Sequence, residues 1–151
     1  MAKLSIGRWG TAGAILLVAA CAAEPRGGPG GPQAVAAPTV DWGRAETVSV
    51  RMTDFAFTPD RLVLQAGAPV RLHLVNSGSG THDFSAPEFF ASAAYPAGGR
   101  APDGGKITLA KDETTDLVFV PTTPGSYALE CTRFLHALFG MTGKIDVALA
   151  R

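Results

Sequence analysis

Residues 125–147 read Gly-Ser-Tyr-Ala-Leu-Glu-Cys-Thr-Arg-Phe-Leu-His-Ala-Leu-Phe-Gly-Met-Thr-Gly-Lys-Ile-Asp-Val. Tyr127 to Glu130 and Ile145 to Val147 have strand character, with Gly140 and Gly143 as turn residues between them. Cys131, His136 and Met141 fall in the intervening stretch, four residues between each successive pair. Two readings of that stretch compete. As a short amphipathic helix it places Phe134, Leu135, Leu138 and Met141 toward a core, leaving Cys131 a small buried hydrophobe and His136 incidental. As a compact loop between neighbouring strands it closes at little entropic cost and gathers all three side chains. A helix scatters them, because residues five apart differ by ~140° in direction and ~7.5 Å in rise. The strand flanks favour the loop.

Upstream, from about residue 44, the same period-two alternation recurs. Val48, Val50 and Met52 share one face of Thr47 to Met52, and Thr47, Ser49 and Arg51 the other. Phe55 and Phe57 continue that spacing until Thr58-Pro59-Asp60 interrupts it. Arg61 to Gln65 forms a second strand; in a third, Val70, Leu72 and Leu74 point inward and Arg71 and His73 outward. Lys106 to Ala110, Thr114 to Val120, Ser126 to Cys131 and Lys144 to Leu149 supply four more. Roughly seven to eight short strands separated by Gly and Pro turns predict an all-β, antiparallel sandwich or barrel. One helical excursion is expected at Glu88 to Tyr95. No strand leads into a long helical pattern, which disfavours βαβ units and dinucleotide binding.

A thiolate, two imidazoles and a thioether suit a one-electron copper site, since soft sulfur favours Cu(I) and imidazole serves both oxidation states. Cys131, His136 and Met141 supply three of these, and the second imidazole must come from another loop. His82, in Asn76-Ser77-Gly78-Ser79-Gly80-Thr81-His82-Asp83-Phe84, is the candidate. His73 competes, but alternation sets it on the polar face of its strand.

The order of these motifs resembles the cupredoxins, or type 1 copper proteins, over about residues 44–149. In that family a Tyr-bearing strand ends in Cys, followed by His, Met, Gly and a last apolar strand. Gly125 to Cys131, His136 and Gly140 to Val147 follow that pattern, and Val70 to Val75, Asn76 and His82 match its upstream half. The resemblance implies a Greek-key β-sandwich holding one copper per chain, with His82, Cys131 and His136 as equatorial ligands and Met141 axial. It implies an electron carrier with transient redox partners and no catalysis, because Met141 and apolar neighbours close the position a substrate would need. Two departures stand out. No Pro lies between Cys131 and His136, and Asp83 follows His82 where many members have Asn.

Leu135, Ala137, Leu138 and Phe139 would surround His136 either as a docking patch or as core, two alternatives that alternation does not separate. Competing functions are copper delivery with the same ligands, a metal-free sandwich serving as an interaction module, and hydrolysis by a Cys131/His136 pair. The last leaves Met141 unexplained and lacks an orienting third residue.

The 151 residues suffice for one domain of ordinary size. Thirteen Lys plus Arg balance thirteen Asp plus Glu, so the basic excess that nucleic acid requires is missing. Residues 1–20 carry Lys3 and Arg8 ahead of the apolar run Ala12 to Ala20 and read as an export signal, too short to span a bilayer comfortably. Val18-Ala19-Ala20-Cys21 resembles a bacterial lipobox, which implies lipid on Cys21 and a periplasmic, membrane-anchored product. Cleavage there removes two bases, leaving eleven against thirteen acids. Residues 21–43, dense in Gly, Pro and Ala, are expected to form a flexible linker ahead of a domain at 44–151. A monomer is expected.

Overall fold

The computed structural model describes residues 40–150. The signal at 1–20, Cys21 and nearly all of the linker lie outside the described residues. A 3-10 turn over Trp42–Arg44, capped by the Asp41 carboxylate on the Gly43 amide at 3.1 Å, leads into the first strand. The alternation in that strand, β1 (Glu46–Thr53), buries Val50 and Met52 and exposes Thr47, Ser49 and Arg51. The same inside-outside rule forms β2 (Ala56–Thr58), β3 (Arg61–Gln65) and β4 (Val70–Asn76). In β4, Val70, Leu72 and Leu74 face the core as their spacing predicts.

Six more strands follow among the described residues: β5 (His82–Ser85), β6 (Ala93–Ala94), β7 (Lys106–Leu109), β8 (Thr114–Pro121), β9 (Gly125–Glu130) and β10 (Thr142–Ala148). They make two five-stranded sheets, ordered β2-β1-β4-β8-β6 and β3-β10-β9-β5-β7. The β-sandwich read from the sequence is therefore present. β2, β5 and β6, of two to four residues, are too short for alternation to separate them from their turns. The sheets are mixed rather than purely antiparallel. β1 runs parallel to β4 from Glu46↔Val70 to Met52↔Asn76, and β3 runs parallel to β10. The chain leaves the first sheet after β2, contributes β3 to the second and returns as β4, and that crossover allows β1 and β4 to point the same way.

The helical excursion is shorter than predicted and packs inward. Helix α1 (Pro87–Ala91) has its proline where a missing amide costs nothing, and the chain beyond it pairs with β8 as β6. Phe89 and Phe90 are fully buried, touching Phe119 from one sheet and Phe84 and Tyr127 from the other at ring-centroid separations of 5.3–6.2 Å. Met52, Leu72, Leu74, Leu109, Leu129 and Ile145 complete the core. Among the described residues no helix is long and apolar enough to cross a membrane.

The parallel β3–β10 edge is tied by Arg61 Nε donating to Asp146 Oδ2 at 2.6 Å. Hydrogen bonding from Ser126, then from Arg61, holds the Asp146 carboxyl below its ordinary value. A depressed folded-state value means that this stabilisation is present above the unfolded pKa, ~3.9, and is lost as pH falls through the folded one. Asp146→Asn is accordingly expected to lower the urea midpoint at neutral pH and to leave a smaller difference from wild type below pH ~3. An equal deficit at both pH values would dissociate the pair from acid unfolding.

Candidate metal centre

Asn76, at the end of β4, organises the loop that delivers the first imidazole. Its buried amide nitrogen donates to the carbonyls of Gly80, Leu109 and Ala110 at 2.8–3.0 Å, and its Oδ1 accepts from the Gly78 amide at 2.9 Å. The loop so held packs directly on His82, the first residue of β5. A Cβ on Gly78 would overlap the His82 Nε2, so glycine is required there by close approach. His82 is fully buried, with Nε2 at 3.1 Å from Asp54 Oδ1 and Nδ1 at 4.0 Å from the Cys131 Sγ. Bonds from Ser79, then His82, keep the Asp54 carboxyl below the ordinary carboxylate value.

Cys131 follows β9 directly and is also fully buried. Residues 131–141 form the loop and not the helix. Leu135 adopts a left-handed φ of 62°, which interrupts any helical run. The loop closes on itself: the Met141 amide donates to the His136 carbonyl at 2.9 Å, and the Cys131 amide to the Met141 carbonyl at 3.0 Å. These bonds hold Cys131, His136 and Met141 together, with His136 Nδ1 at 3.5 Å from the Cys131 Sγ. The Met141 side chain is fully buried.

The two departures from the family pattern have structural answers. The backbone amide of Asp83 donates to the Cys131 Sγ at 3.3 Å, a bond independent of side-chain identity. The buried Asp83 carboxylate accepts from Thr108 Oγ1 at 2.8 Å and from Thr132 Oγ1 at 2.6 Å. Thr132 follows the cysteine, so this tie to β5 restrains the loop where a proline is missing.

The donor atoms of His82, Cys131 and His136 lie within 4.8 Å of one another. A trigonal first-row ion with metal–sulfur ~2.3 Å and metal–nitrogen ~2.0 Å separates sulfur from nitrogen by ~3.7 Å. The 3.5 and 4.0 Å separations bracket that distance, and a free buried thiol with two imidazoles is a donor set that copper accepts. His73 is set apart on the outer face of β4, bonded to Asp116 at 2.7 Å. The sequence reading missed Asp54 and Phe55, which reach the centre from the β1–β2 turn. Phe55 was read as continuing a strand, but its φ of 65° turns the chain and brings its ring edge-on to His136 at 5.2 Å. No local pattern announces either contact.

Phe134, Leu138 and Phe139 are 88%, 78% and 61% exposed, so the apolar residues flanking His136 are a surface patch and not core.

Comparison with known proteins agrees with this architecture. No curated protein matches the sequence. Among the solved structures that share the fold are two auracyanins, each at a TM-score of 0.53 and over 70% of this chain. One is Na-dithionite reduced auracyanin from the photosynthetic bacterium Roseiflexus castenholzii, 17% identical and covered over 99% of its length. The other is auracyanin B, 28% identical and covered over 90%. The family profile described as "Cupredoxin-like domain" matches residues 14–147, and with most of its length inside that match the chain belongs to the cupredoxin-like family.

Proposed function

We propose that the protein is a single-electron carrier in which His82, Cys131, His136 and Met141 would hold one copper ion. The observation that carries this reading is a buried cysteine sulfur held 3.5 and 4.0 Å from imidazole nitrogens on two separate elements. Bound there, copper would supply one-electron chemistry between its Cu(II) and Cu(I) states. The chain's own residues keep the donors still. The Asp83 amide holds the sulfur, the Thr132–Asp83 bond and the Met141–His136 and Cys131–Met141 bonds hold the loop, and Asn76 holds the strand end that presents His82. A donor set locked in this way rearranges little when its charge changes, which speeds electron exchange.

His136 is the electron port in this reading. It alone of the three donors is not fully buried, and Phe134, Leu135, Leu138 and Phe139 surround it with exposed apolar surface. An exposed apolar patch around the least buried donor suits a short-lived encounter with a redox protein. Full burial of His82, Cys131 and Met141 leaves only His136 partly exposed, which supports a carrier and not an enzyme. It also disfavours delivery, since handing over copper requires a donor that swings free. The export signal, the lipid on Cys21 and the tether at 21–43 would place this domain in the periplasm near a membrane.

The test is electron self-exchange, read from NMR line broadening when Cu(II) protein is added to Cu(I) protein, together with copper retention against a Cu(I) chelator. Fast exchange with retained copper is the expected result. Prompt loss of copper to the chelator without measurable exchange would establish delivery instead.

A further inference from the structure

We propose that Asp54 is a positioning residue for this centre, fixing His82 in its Nε2–H tautomer and strengthening Nδ1 as a donor, so that the site favours Cu(II). The redox half of this statement rests on the copper reading above; the tautomer half does not.

The two ring nitrogens of His82 face different groups. Nε2 meets Asp54 Oδ1 at 3.1 Å, and Nδ1 faces the Cys131 sulfur at 4.0 Å. An ionised carboxylate only accepts, so the nitrogen beside it carries the hydrogen and the other keeps its lone pair, directed at the sulfur. Asp54 is itself held in place, because the same Oδ1 accepts the Ser79 amide at 2.9 Å. Gly78 closes the arrangement: a Cβ there would overlap both the His82 Nε2 and the Asp54 Oδ1, so backbone is packed against the pair.

The consequence for the metal follows from the hydrogen bond. An imidazole that shares its N–H with a carboxylate gains electron density at the opposite nitrogen, and a more basic donor stabilises the higher oxidation state. The Asp54 side chain is 46% exposed, so its long-range field is screened by water and the influence passes mainly through the bond to Nε2. His136 has no carboxylate bonded to it among the described residues; against it lie the Cys131 sulfur, the Phe55 ring and, at 4.9 Å between centroids, the His82 ring. The two imidazoles are therefore unequal donors, with the buried one reinforced and the partly exposed one not.

Two substitutions separate position from charge. Asp54→Asn keeps an oxygen to accept from Nε2–H but removes the charge, and Asp54→Ala removes both. In the metal-free protein, 15N NMR of His82 is expected to show the Nε2–H tautomer in wild type and in Asp54→Asn, and a mixture in Asp54→Ala. In the copper protein, Asp54→Asn is expected to weaken Cu(II) binding about 10-fold more than Cu(I) binding, which raises the reduction potential by ~59 mV for one electron. A wild-type His82 with its hydrogen on Nδ1, or a Cu(II)/Cu(I) affinity ratio unchanged in both variants, would overturn the assignment. If wild type binds no copper, the redox half falls with the proposed function, while the tautomer measurement still decides the role of Asp54.

Discussion

Cys131→Ala is expected to abolish the intense visible thiolate-to-copper band of the Cu(II)-loaded protein and to weaken copper binding by more than about 100-fold, since losing a ligand exceeds the 10–100-fold typical of its supporting groups. The fold is expected to survive this change. Removing the sulfur leaves the buried Asp83 amide without its acceptor, which costs about 1–3 kcal/mol against a domain stability of about 5–15 kcal/mol. Copper titration followed by absorption, with a thermal melt of the metal-free variant, checks both halves. Retention of the colour at one copper per chain would remove Cys131 from the ligand set, and with it the reading of the 131–141 loop. An unfolded variant would show instead that the cysteine is principally a core residue.

Phe90→Ala is expected to be the most damaging single truncation away from the metal centre, at about 3–5 kcal/mol. The ring is fully buried and sits between Phe84, Phe89 and Phe119, which belong to both sheets and to α1. Its loss opens a cavity at the place where the excursion joins the sheets. Were residues 88–95 only a surface detour, the same substitution would change stability by no more than about 0.5 kcal/mol. Urea unfolding of the metal-free protein distinguishes the two values. The copper spectrum of the folded variant should be unchanged, because no ligand lies on α1.

The contrast between these residues shows what a chain reading reaches. The approach of Cys131 and His136 was legible because they share one loop, and a loop between adjacent strands brings its own residues together. Val50, Leu72 and Leu74 were legible as core because a strand turns alternate side chains to opposite faces. His82 was half legible. Its rival His73 lay on a polar face, yet only the packed loop at Gly78 shows the imidazole seated at the sulfur. Asp54 lies 28 residues before His82 and gives no local sign of the bond between them.

By itself, then, the sequence determined the all-β class, the inward face of the longer strands and the Cys131/His136 half of a donor set suited to copper, each of which depends on residues near one another in the chain. Only the tertiary structure decided the parallel pairing of β1 with β4 and of β3 with β10, the burial of Phe89 and Phe90, and the exposure of the apolar residues around His136. It also decided which carboxylate meets His82 and which restrains Thr132. Period-two alternation says which side of a strand is wet but not which strand lies beside it. That choice depends on hydrogen bonds and packing between segments distant in sequence, and those contacts exist only once both sheets have closed on a common core.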